Sequence, residues 1–157
     1  SLVRKVLEMN SVNEKTLFGS EELPLIEHLL KPTNIYVKLV KALFLNKISI
    51  NGMAHITGGG LPENLPRCLP KECNALIDID SWVRPEIFQW LKKAGDIPEA
   101  DLWNTFNLGI GLCIVIPSEV VKSVLDICNE EGFDAWPIGI VEVSSEPTSQ
   151  KLIGLPF

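Results

Sequence analysis

The sequence predicts an α+β layer structure, in which helices pack on strands without forming a regular βαβ array. Three observations carry this. Apolar residues recur at helical spacing in several separate windows, while 75–79 and 108–116 read as strands, and the two kinds of segment are interleaved irregularly. Apolar residues make up 46% of the chain and charged residues only 22%, the balance of a chain with a buried core rather than of a disordered one. The length of 157 residues fits one domain, since domains typically run to roughly 100–200 residues.

In order along the chain, 2–9 reads as a short helix whose Leu2, Val3, Val6 and Leu7 form an apolar stripe at i, i+3 and i+4. It has no capping residue ahead of Ser1, so the sequence is expected to start partway through a longer protein. The stripe and the apolar stretch 23–30 are then expected to face a missing domain and to promote self-association. Residues 10–22 are polar, hold Gly19 and predict a loop; Pro32 ends the stretch that follows. Thr33 is expected to cap a helix with Tyr36, Val40, Leu43 and Phe44 on its buried face. Residues 53–57 alternate as a strand, broken by Gly58-Gly59-Gly60. In 75–79, Ala75, Ile77 and Ile79 share one face and Leu76 and Asp78 the other, with Asp80 beyond, which predicts one wetter face.

Pro85 opens a helix with Ile87–Leu91 and Trp90–Ala94 pairs that Gly95 ends, and 98–103 is expected to form another. The near-continuous apolar run 108–116 predicts a strand buried on both faces. Ser118 is expected to cap a helix that stops at Gly132, and 135–143 to form a last strand with Pro137 at its start or on an edge. The tail 144–157 is polar up to Leu152 and matches no motif, so its role is left open.

Several function classes are disfavoured. The longest apolar run is far short of the roughly 20 residues needed to span a bilayer. The net charge of −6 has the wrong sign for a nucleic-acid backbone, so neither membrane nor nucleic acid is an expected partner. Cys68, Cys73, Cys113 and Cys128 form no C-x-x-C pair and sit among apolar neighbours, which predicts buried reduced thiols, no metal site and a cytoplasmic setting.

The concentrated chemical signal is Ala54-His55-Ile56-Thr57-Gly58-Gly59-Gly60, followed by Leu61-Pro62-Glu63-Asn64-Leu65-Pro66-Arg67. A glycine run between a strand and a helix start lets backbone amides approach an anion, and phosphate is the natural ligand; a tight turn that needs positive φ is the plain alternative. Arg67 can add a bidentate phosphate contact or stay a surface residue. His55 can move a proton near neutral pH or serve as a core residue. Asp78 and Asp80 share a face that could meet magnesium, but such carboxylates usually face water. The small residues of Asn107-Leu108-Gly109-Ile110-Gly111 point to close packing.

Taken together, Lys31-Pro32-Thr33-Asn34-Ile35-Tyr36-Val37, the block from Gly52 to Gly60 with Glu63-Asn64-Leu65-Pro66-Arg67, then Ser81-Trp82, Pro85, Ile87-Phe88, Trp90-Leu91, Gly95, Thr105-Phe106-Asn107 and Gly109-Ile110-Gly111 resemble, in order, the carboxy-terminal domain of aminoimidazole ribonucleotide synthetases. The resemblance runs to about Val143 and implies a three-layer α/β/α domain with a mixed sheet. It implies an ATP- and magnesium-dependent cyclo-ligase of purine biosynthesis that acts on a phosphorylated nucleotide precursor, formylglycinamidine ribonucleotide, as a homodimer. ATP and magnesium would be held mainly by an amino-terminal domain that this sequence lacks, so the chain alone is expected to be inactive. On the resemblance, residues 1–157 are a single carboxy-terminal domain. His55 is then the candidate catalytic residue, and Thr57, Gly58, Gly59, Gly60, Asn64 and Arg67 are the candidate substrate- or phosphate-binding residues. Formylglycinamidine ribonucleotide amidotransferase, selenophosphate synthetase and thiamin-monophosphate kinase share the fold and are rival readings, as is a binding module without turnover.

Overall fold

The computed structural model describes residues 1–13, 15–19, 23–144 and 151–157. Helix α1 (Leu2–Met9) is capped by Ser1 itself, whose hydroxyl accepts from the Arg4 N–H at 3.5 Å. Part of its stripe is covered from within this chain. Val6 is 1% exposed, Leu2 and Val3 pack against the same core, and Asn10 Nδ2 ties the helix end to the Ala94 carbonyl at 2.9 Å. The segment expected to be a loop holds a short hairpin instead, β1 (Leu17–Phe18) with β2 (Leu23–Pro24), although Glu14 and residues 20–22 lie outside the described residues. The chain then turns into α2 (Leu25–Leu30), which buries Leu25 completely while Leu30 stays 73% exposed.

Helix α3 (Val37–Leu45) begins three residues later than a Thr33 cap would place it, with Tyr36 at its N-cap. Its buried face is Leu39 and Leu43; Phe44, expected on that face, points outward. Strand β3 (Gly52–His55) leads into the glycines and the five-residue α4 (Gly60–Asn64), and β4 (Cys73–Ile77) follows. On β4 the predicted alternation holds, with Ala75 and Ile77 in the core and Leu76 half-buried.

Helices α5 (Glu86–Ala94) and α6 (Glu99–Thr105) each follow a proline. The run 108–116 is shorter as a strand than expected, because β5 is only Leu112–Val115. Leu108 and Gly109 take positive φ, and Asn107 Oδ1 accepts the Gly109 N–H at 3.1 Å, so the first part is a turn. Ser118 starts a 3-10 turn rather than capping α7 (Val121–Glu130), which ends at Gly132 (φ +78) as predicted. Strand β6 (Gly139–Val143) starts beyond Pro137, and β7 (Leu152–Ile153) brings the tail back to the sheet with Leu152 buried.

The architecture is α+β with a mixed sheet. Strand β4 lies between antiparallel β6 and parallel β7, while β3 and β5 form a separate antiparallel ladder, His55 opposite Leu112 and Ala54 opposite Cys113. That ladder divides the apolar interior. Ala54, Ile56 and Cys113 face the larger cluster, built with α1, α4, α5 and α6. Leu112 and Ile114 face a smaller one, in which Leu39 and Leu43 of α3 meet Val124, Ile127 and Cys128 of α7. Strand β5 is thus flanked by apolar side chains on both faces, as its sequence predicts.

Leu43 is fully buried and Leu45, two residues on, is 82% exposed. Leu43→Ala is expected to lower the unfolding free energy by about 2–5 kcal/mol. Leu45→Ala should stay within about 0.5 kcal/mol of the parent. Urea unfolding followed by circular dichroism measures both.

Candidate functional site

Strand alternation places Ala54 and Ile56 inward and His55 and Thr57 on the open face. Thr57, Gly58, Gly59 and Gly60 then form a β-turn closed by a bond from the Gly60 N–H to the Thr57 carbonyl at 3.0 Å. Gly59, at φ +91 and ψ −6, has the third-position geometry of a type II turn, which glycine adopts without steric cost.

The three glycines have different duties. A Cβ on Gly60, at φ +58, would lie 1.9 Å from the Trp103 carbonyl oxygen and 2.7 Å from that of Phe106, so Gly60 lets the turn seat directly on the end of α6. A Cβ on Gly59 would meet the Glu63 side chain at 2.3 Å. Gly58 has nothing within 4 Å of its Cβ position. Asn64 is 5% exposed and spends its amide on the turn, donating to the carbonyls of Gly58 at 3.2 Å and Gly60 at 2.8 Å. Its oxygen accepts from Arg67 Nη1 at 3.4 Å, and Arg67 Nη2 lies 3.9 Å from Glu63.

The groups left open to a ligand are therefore fewer than the sequence suggested. Among the described residues, no acceptor takes the N–H of Gly58 or Gly59, and neither the exposed Thr57 hydroxyl nor the exposed His55 imidazole has a hydrogen-bond partner. These groups follow one another along residues 55–59. The Glu63 carboxylate stands where a Cβ of Gly59 would be and would repel an anion, whereas the space at Gly58 is open, and the Arg67 side chain nearby is exposed.

Tyr36 is a neighbour that sequence reading did not connect to this place. Its ring meets His55 edge-on, centroids 5.8 Å apart at 70°, and its hydroxyl packs against the Cα of Gly111, where a side chain would collide with it. The link is long-range: α3 starts at Tyr36 beside the end of β3, and only the β3–β5 ladder brings Gly111 to both. The presence of Tyr36 in the Lys31-to-Val37 motif was the available signal.

Beneath the turn, Glu99 organises α6. Its carboxylate accepts from Arg84 at 2.6 Å, from Trp103 Nε1 at 2.9 Å and from Lys92, and the Arg84 guanidinium also stacks over the Trp103 ring at 4.9 Å. Burial pushes this carboxyl up, but the hydrogen bonds from Lys92, Arg84 and Trp103 outweigh it and hold it at about 2. Cys113 is driven the other way, to about 12, by burial and then by Cys68 nearby, which makes it an inert core thiol.

The residues present fit a phosphoryl group better than a magnesium ion. Asp78 Oδ1 accepts the Asp80 N–H at 3.1 Å in a local turn, and among the described residues no group of three or more His, Cys, Asp or Glu side chains is gathered as a metal site. None of the described helices is long and apolar enough to cross a membrane.

The arrangement is that of an α+β domain with a glycine turn at a strand end, two of whose amides have no acceptor among the described residues. More specifically, the chain belongs to the family described as AIR synthase related protein, C-terminal domain, whose sequence model matches residues 1–151. It is similar to proteins named phosphoribosylformylglycinamidine cyclo-ligase. One from Prochlorococcus marinus (strain MIT 9313) is 60% identical over 156 residues, covering 99% of this chain and 45% of the relative. Another from Synechococcus sp. (strain CC9311) is 53% identical over 157 residues, with the same two coverages. The chain spans about half the length of these relatives.

Two outcomes follow. Gly60→Ala is expected to destabilise the chain by about 2–4 kcal/mol through collision and positive φ, whereas Gly58→Ala should cost no more than about 0.5 kcal/mol; thermal and urea unfolding distinguish them. Because Glu99 sits at about 2 in the folded chain against an ordinary 4.5, its network stabilises above that ordinary value and is lost as pH falls toward 2. Unfolding free energy measured across this window should therefore fall less steeply with acid for Glu99→Gln than for the parent.

Proposed function

We propose that this chain is the carboxy-terminal domain of an ATP-dependent cyclo-ligase that closes formylglycinamidine ribonucleotide to aminoimidazole ribonucleotide in purine biosynthesis. Support comes from the family match and from relatives that carry the cyclo-ligase name rather than that of an amidotransferase or kinase. The single structural observation behind the reading is the pair of unpaired Gly58 and Gly59 amides beside Thr57 and His55.

In this reading the formyl amide oxygen, a poor leaving group, is phosphorylated by ATP, and the amidine nitrogen then attacks the activated carbon within the same molecule. Intramolecular attack needs positioning more than covalent help from the protein. The Gly58 and Gly59 N–H groups and the Thr57 hydroxyl donate to phosphate oxygens, where charge builds as the bond to the leaving oxygen breaks. His55, whose ring meets Tyr36 edge-on, takes in this reading the proton that the amidine nitrogen loses on closure. Gly59, Gly60 and Asn64 shape the turn, and Arg67 supplies a movable positive charge. Any magnesium carboxylates belong to the amino-terminal partner domain. Residues 1–157 are read as one domain of that enzyme, acting in the cytoplasm with the whole protein a homodimer.

The test is a chimera in which this chain replaces the matching segment of the Prochlorococcus marinus (strain MIT 9313) relative. The chimera should turn over formylglycinamidine ribonucleotide with ATP while residues 1–157 alone do not, and an inactive, folded chimera would sink the reading. In the chimera, Thr57→Val removes one donor to the anion and Gly58→Ala sets a methyl group in the open space over the turn, so the pair should raise the KM of a phosphorylated substrate by about tenfold without changing the melting temperature.

A further inference from the structure

His55 stands exposed at the end of β3, where an unrestrained side chain would exchange between staggered rotamers. Its aromatic neighbour is Tyr36, whose ring meets the imidazole edge-on with centroids 5.8 Å apart at 70°. Tyr36 is itself held in place. It is the N-cap of α3, its carbonyl accepts the Val40 N–H at 2.9 Å, and its ring also packs on Phe133, centroids 5.4 Å apart.

Gly111 registers the two side chains against each other. Its carbonyl accepts the Ile56 N–H at 2.8 Å, so it is bonded to the peptide that follows His55. A Cβ at Gly111 would lie 1.9 Å from the Tyr36 hydroxyl oxygen and 3.0 Å from its Cζ. Backbone conformation does not call for glycine at this position, because Gly111 is not among the described glycines at positive φ. What glycine supplies there is space.

We infer that Tyr36 is a positioning residue for His55, and that Gly111 admits the Tyr36 hydroxyl so that the ring reaches the imidazole. An edge-to-face pair favours the arrangement that contains it by about two- to tenfold. Such a bias matters for a proton acceptor, since small misplacements of a reacting group are costly in rate. The kinetic consequence rests on the reading of His55 as that acceptor, whereas the orientation of its ring does not. The hydroxyl is what a Gly111 side chain would strike, so removing it should restore the arrangement.

In the 157-residue chain, His55 side-chain couplings measured by NMR should report one dominant χ1 rotamer in the parent and in Tyr36→Phe, and an average over several rotamers in Tyr36→Leu. Gly111→Ala should average them too. Gly111→Ala combined with Tyr36→Phe should restore the dominant rotamer, because only the 3.0 Å approach to Cζ is then left to relieve. In the chimera, Tyr36→Leu and Gly111→Ala should each lower kcat about tenfold with KM within about twofold of the parent, and the double variant should recover to within about threefold. Couplings already averaged in the parent overturn the inference. So does a folded Tyr36→Leu or Gly111→Ala variant with parental couplings, or a double variant no better than Gly111→Ala alone. The Gly111 pair decides even if Tyr36→Leu does not fold. If the couplings behave as expected while kcat ignores His55→Ala, the proton-acceptor reading fails and the positioning of the ring stands.

Discussion

Between Gly60 and the carbonyl of Trp103 there is no space for a side chain, and much of the molecule is arranged around that contact. With any Cβ the approach would shrink to 1.9 Å, so the end of β3 and the end of α6 can meet only through glycine. Once they meet, Leu61 is sealed into the core at 1% exposure and Asn64 reaches back to tie the Gly58 and Gly60 carbonyls. The support beneath is equally constrained. Trp103, also 1% exposed, is fixed by hydrogen bonding to Glu99, by Arg84 above its ring and by Trp82 against its edge, centroids 6.0 Å apart. On the proposed reading of the turn as an anion site, its two unpaired amides need such a base, because preorganised donors are effective only if nothing must rearrange when the ligand arrives.

The β3–β5 ladder gives the turn its second support. Its inner face joins the large cluster and its outer face joins α3 and α7, so the ladder is held from both sides although it is only two strands wide. His55 is on the outer face at the strand's end, where the start of α3 delivers Tyr36. Gly111 completes the arrangement by leaving room for the Tyr36 hydroxyl. A side chain at Gly111 would displace Tyr36, and with it the ring that orients His55.

Val6 and its neighbours face the chain's own core, and Asn10 fastens the helix to the end of α5. Among the described residues, β6 is paired along one edge, with β4. A helix satisfies its backbone internally and needs only its apolar stripe covered, whereas a strand depends on its neighbours for its backbone hydrogen bonds as well.

Local patterns were sufficient to determine the class of fold, most helices, the alternation on β4 and the position of the glycine turn, because helix periodicity, strand alternation and glycine placement are read within a few residues. The family resemblance was legible for the same reason, as separate short motifs in register. Where a helix begins or which side it buries was less secure: Tyr36 rather than Thr33 precedes α3, and Leu39 rather than Phe44 is inside, since α7 decides which face is covered. The three consecutive glycines look equivalent in sequence, yet Gly60 is spent on Trp103, Gly59 on turn geometry, and Gly58 alone is free. Asn64 reads as a ligand contact in sequence, and in the fold its amide braces the turn. Only tertiary structure could assign these roles, because each is set by a neighbour distant in sequence or by a hydrogen bond that exists once the turn has folded.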